Sequence, residues 1–136
     1  MASELRVNTL KDASGNNSVA MSTVSSGTPK GFCHFNQETP AIITSFNTAS
    51  LTDSGTGYGK VNWTNAMSNA NYSTTTGNTS VNAIGGSEYT TCLADDNGYV
   101  ARTSSAWTYK SIYAGTSAAA EFDPAIGMCS PLGDLA

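Results

Sequence analysis

The sequence predicts an all-β fold: a single antiparallel β-sandwich, jelly-roll-like, with an extended N-terminal arm or hairpin. Three observations point there. Ser, Thr, Asn and Gly make up nearly half of the 136 residues. Ser and Asn compete with the backbone for hydrogen bonds and Gly loses the most entropy on ordering, so long helices are disfavoured, while Thr favours strands. Apolar residues are 39% of the chain, with aromatics spread along it, which argues against disorder for most of the sequence. Short alternating stretches recur between Gly- and Asn-rich turns, the rhythm of a sandwich. A chain of this length forms one domain and can bury roughly two thirds of its unfolded surface without metal or disulfide staples.

Residues 1–27 read as an attachment arm and 28–136 as the sandwich. In the arm Leu5 and Val7 alternate, Leu10 falls out of phase, and 12–17 is a turn-forming cluster. Val19 and Met21 alternate again, so two short extended pieces around a turn are expected, the second over 19–24. Residues 25–29 are a Ser/Gly/Pro joint. From Lys30 a strand sets Phe32, His34 and Asn36 on one face and Cys33 and Phe35 on the other, and Ile42, Thr44 and Phe46 continue the pattern. Residues 49–51 and 60–64 flank the Gly-rich turn 52–57, with Val61 and Trp63 pointing one way: a hairpin. Residues 66–72 are a loop or helical turn, and 73–86 a long polar loop or edge strands. Tyr89, Thr91 and Leu93 share a face before the turn at Asp95-Asp96-Asn97-Gly98. Trp107, Tyr109 and Tyr113 lie on a further strand, and the chain closes through 122–134.

Charge excludes some partners. Charged residues are 12% of the chain, the net charge is −4, and the Lys and Arg residues are scattered from Arg6 to Lys110. No basic stripe can displace phosphate counterions, so nucleic acid is not an expected partner, nor is an anionic membrane surface. No apolar run is long enough to insert into a membrane, and no export signal is expected at the front. Cys33, Cys92 and Cys129 are widely spaced and include no CxxC. Buried free thiols are the expectation, one disulfide the alternative. The Asn-x-Ser/Thr triplets at Asn16, Asn62, Asn71 and Asn78 follow from the abundance of those residues.

Chemistry-bearing constellations are weak. His34 is the only histidine, and Cys33 points to the opposite face of its strand, so the two cannot act as base and nucleophile. The Asp95–Gly98 turn lacks the loop length and terminal Glu of an EF-hand. Glu121 and Asp123 alternate onto one face without a supporting site. Gly55-Thr56-Gly57 stands between strands and not before a helix, so it cradles no phosphate. No catalytic residue, metal ligand or cofactor is expected, and the chain reads as non-enzymatic. Trp107, Tyr109 and Tyr113 are the residues to weigh: exposed, they would stack on sugar rings; buried, they form core or a subunit interface, which is the favoured reading.

Several stretches resemble a family of small virion proteins of tailed bacteriophages, common among marine and cyanobacterial phages. They are ELRVNTLKDASGNNSV at 4–19, KGFCHFNQ at 30–37, SFNTASLTDSGTGYGKVNWTNAMSNANYS at 45–73 and CSPLGD at 129–134. The family usually carries a continuous last strand; Pro131 departs from that, so this strand is expected to stop early or lie at an edge. The resemblance implies a virion-located structural protein, most readily a tail fibre or tail-tip component in host attachment. A capsid decoration protein or head fibre is the alternative, and a carbohydrate-binding module for host surface glycan a further one. It also implies a homotrimer contacting other tail or capsid proteins. The arm residues Leu5, Val7, Leu10, Val19 and Met21 would dock it, strand to strand.

Overall fold

The computed structural model describes residues 6–15, 17–79, 90–95, 101–114 and 119–136. Within them lie β1 (Thr9–Lys11), β2 (Ser18–Ala20), α1 (Met21–Gly27), β3 (Phe32–Asn36), β4 (Ala41–Phe46), β5 (Thr48–Gly55), β6 (Tyr58–Trp63), β7 (Ser73–Thr79), β8 (Thr90–Asp95), β9 (Ala106–Ala114), β10 (Ala119–Glu121) and β11 (Ile126–Leu132). The fold is all-β, and every strand pairing is antiparallel.

β1 and β2 form a small hairpin of their own. The other strands make two sheets: a four-stranded one in the order β4-β3-β11-β7, and a larger one in the order β10-β9-β6-β5 with β8 also on β9. β8 covers one edge of β9, while β6 and β10 run end to end along the other and meet at Ser111. One core joins the sheets: Cys33, Phe35 and Cys129 come from the first, Val61, Trp63, Trp107 and Tyr109 from the second, and Met67 and Tyr72 from the loop between β6 and β7. Fully burying an aromatic of this size contributes roughly 3 kcal/mol, and Trp107, Tyr109 and Phe35 head the buried side chains.

Alternation explains the strands. β6 runs half-buried to buried with period two, so Gly59, Val61 and Trp63 face in. β3 does the same with Cys33 and Phe35. At the centre two aromatic rings each lie on a glycine of the neighbouring strand. Phe35 is paired with Gly127 and Tyr109 with Gly59, and a Cβ at either glycine would stand 2.3–2.4 Å from the ring or its hydroxyl. The rings of Phe35 and Tyr109 then meet between the sheets, centroids 5.1 Å apart.

Two residues tie the layers at their ends. Asn47 turns the chain from β4 into β5 with φ of 55°, a left-handed conformation that Asn tolerates better than most residues. Its side chain donates to the carbonyls of Lys30 and Asn65 and accepts from the Asn65 N–H at 2.7 Å. Buried Gln37, just past β3, donates across to the carbonyls of Tyr58 (3.0 Å) and Gly55 (3.4 Å) at the β5–β6 turn.

Three local expectations are corrected. Residues 21–27 form α1, not the end of a strand over 19–24, so Met21 opens a helix. Ile42 does not share a face with Thr44 and Phe46. A bulge between His34 and Phe35 leaves Ile42 opposite inward Phe35 and Thr44 opposite outward His34, as an extra residue reverses the alternation beyond it. β11 neither stops before Pro131 nor lies at an edge, since it runs between β3 and β7. The Pro131 carbonyl accepts from Lys30 N–H, so its ring nitrogen faces the same side, beyond the end of β3, and the Lys30 carbonyl that a ladder N–H would serve takes its donor from Asn47 Nδ2.

Candidate functional site

Arm residues stand apart from the core. The turn between β1 and β2 is closed by Asp12 N–H donating to the Asn17 carbonyl, Gly15 N–H to the Asp12 carbonyl, and Asn17 Nδ2 to Asp12 Oδ2 at 2.7 Å. Gly15 takes φ of 72° there. The hairpin sets Leu10 opposite Val19. Leu10 is 44% exposed and Val7 is also exposed, while Val19 and Met21 are half-buried. α1 buries none of its residues and has no side-chain N-cap. None of the core side chains comes from residues 6–28. Four of the five predicted docking residues, Val7, Leu10, Val19 and Met21, therefore sit on or beside a hairpin–helix unit whose two strands, among the described residues, pair only with each other. Leu5 lies outside the described residues.

The predicted aromatic contacts resolve differently. Trp107 and Tyr109 are fully buried, their rings 5.2 Å apart in the core. That corrects the glycan-contact alternative at these two positions: a sugar ring has no surface to stack on. Both side chains belong to the core. Tyr113 is half-buried and packs edge-on against Phe122 at 5.8 Å.

Glu121 and Asp123 serve the β6–β10 junction. Asp123 Oδ1 accepts from Gly57 N–H at 2.7 Å, and Gly57, with φ of 76°, lies so close to Glu121 and Ser111 that a Cβ would clash. The Glu121 carboxylate pairs with Lys110 at 2.9 Å. Lys110 holds the Glu121 carboxyl below its usual value. The Tyr58 hydroxyl and then Glu121 hold the Lys110 ammonium above its own. The carboxylates are thus engaged in turn and strand contacts.

Cys33 and Cys129 are directly opposed across β3 and β11, buried and unbridged. The side chain of Cys92 and the Asp96–Gly98 part of the predicted turn lie outside the described residues. Among the described residues, no cluster of three or more His, Cys, Asp or Glu side chains could hold a metal ion, and no helix is long and apolar enough to cross a membrane.

The sequence reading missed one surface, the outward face of β4-β3-β11-β7. Phe32, Ile43, Phe46 and Met128 are all exposed there, with the Phe32 and Phe46 rings 6.4 Å apart. Its signal in the sequence is the lack of charge along 39–52 and 124–133. Comparison of the chain with known protein families, curated proteins and solved structures finds no match.

Proposed function

We propose that this chain is a non-enzymatic structural protein of a tailed-phage virion. In this reading it is a tail fibre or tail-tip component that assembles as a homotrimer and is docked by residues 1–27. The family resemblance rests on the stretches 4–19, 30–37, 45–73 and 129–134. The observation that carries the docking role is the hairpin–helix unit: it exposes Val7 and Leu10, adds no side chain to the core, and among the described residues leaves both strand edges open. Exposed apolar residues on an open-edged hairpin gain free energy when another chain adds a strand and covers them.

Deleting residues 2–27 tests this. The expected product is a folded body, with the near-ultraviolet circular dichroism of the full chain, that no longer joins particles when supplied in trans to a phage lacking the gene. Truncated protein found in purified particles at wild-type copy number would overturn the docking role. Antibody labelling of intact particles distinguishes tail from capsid.

A further inference from the structure

Charge is divided between the two sheets. β4, β3, β11 and β7 contain no Asp, Glu, Lys or Arg. The charged strand residues of the larger sheet are Asp53, Lys60, Asp95, Lys110 and Glu121. Register places the outward residues of the uncharged sheet side by side: Phe32 with Phe46, His34 with both Thr44 and Met128, and Met128 with Gly77. Phe46 is 58% exposed and Ile43, at the bulge, 55%. A shallow groove of about 320 Å³ runs between Phe32, His34, Met128, Thr75, Gly77 and Ser130. His34 lines it, and its Nε2 is shielded from water without a hydrogen-bond partner.

Contiguous exposed apolar surface marks an interaction site, and the absence of charge says which partner fits. A face turned towards the rotation axis of a cyclic oligomer brings each residue near its own symmetry copies, so a Lys or Glu there would oppose its own kind. A face evolved for a charged partner would carry complementary charge, and this one carries none. The molecule as a whole has a net charge of −4, so copies repel except where they meet through a neutral surface. Four strands about 4.8 Å apart and roughly 20 Å long offer a face of about 400 Å² before side-chain relief. That is at the small end of protein interfaces, so association through it is expected to be weak.

We propose that copies of this chain assemble through the outward face of β4-β3-β11-β7, with Phe46, Ile43, Phe32 and Met128 at the centre of the contact. The inference rests on the reading of the protein as a self-assembling virion component and names the surface involved.

Sedimentation equilibrium at concentrations up to tens of micromolar tests it on the full chain. Wild type is expected to associate. F46E combined with M128E is expected to raise the dissociation constant at least about tenfold, because like charges are forced together without water. S54E, on the outer edge of the other sheet, is expected to leave it unchanged. Fluorescence of buried Trp63 and Trp107 reports whether each variant is folded. Should the double variant fail to fold, T44E places a single charge on the same face, opposite His34, and decides in its stead. An oligomer that persists in folded face variants overturns the surface and leaves self-assembly standing. A wild type that stays monomeric overturns the homotrimer reading itself, and the inference with it.

Discussion

Burial decides the behaviour of the two opposed thiols. Burial pushes the Cys33 thiol up from 9.0 to about 11, with the Thr48 hydrogen bond pulling the other way. Cys129 is pushed above its ordinary value by burial first and by Cys33 second. Thiols are neutral when protonated. Above the ordinary value the unfolded chain therefore releases protons that the folded chain keeps. The unfolded state binds fewer protons, and stability falls as pH rises. The stabilisation is fully present below about pH 9 and is lost progressively through about pH 11. The urea midpoint of wild type is expected to hold from neutral pH to near pH 8.5 and to drop by near pH 10. Replacing Cys33 and Cys129 by Ala should make that drop shallower, whatever the change at neutral pH. Equal alkaline drops in wild type and variant would mean that the thiols play no part. Burial also raises the Tyr109 phenol, with Cys129 and Cys33 adding to it, so the comparison reads the sulfurs together with their effect on that hydroxyl.

Strand pairing is where the sequence was most and least legible. Alternation alone identified β3, the β5–β6 hairpin and β9, because an inward face must be apolar wherever the two sheets close on a core. It did not identify α1, whose Ser- and Thr-rich sequence lacks an N-cap and is short of the length at which helices hold in isolation. It misread Ile42 because a bulge is a property of two strands and not of one. The apolar residues of the arm were legible as residues with no core to join. The Phe46–Met128 face was not, since its paired strands β3 and β11 lie more than about ninety residues apart and only the register brings them together. Register also explains why Gly127 and Gly59 have to be glycine, as each lies beneath the aromatic ring opposite it. Gly127→Ala and Gly59→Ala are each expected to destabilise the fold by about 1–3 kcal/mol, the usual effect of overpacking. Gly27→Ala, which meets nothing within 4 Å, should stay within about 0.5 kcal/mol of wild type. Chemical denaturation of the three variants checks this; a neutral Gly127→Ala would mean that Phe35 moves aside at little cost.

Across the whole molecule the two sheets carry different physics. The larger one bears the ion pair of Lys110 and Glu121 and the lysine over the Tyr58 ring; the strands of the smaller one carry no Asp, Glu, Lys or Arg. Sodium chloride screens exposed charges within about 10 Å at tenth-molar strength and leaves apolar contact almost untouched. Self-association through the uncharged sheet should therefore change its dissociation constant by less than about threefold between low salt and half-molar sodium chloride. Any trend should be towards tighter binding, as the net repulsion of like-charged copies is screened. Sodium sulfate, which strengthens apolar burial by its exclusion from protein surface, should tighten association further. Sedimentation equilibrium in the two salts separates the alternatives. Association that weakens steeply with sodium chloride would place Lys60, Lys110 and their acidic neighbours in the contact, and so move it to the opposite sheet.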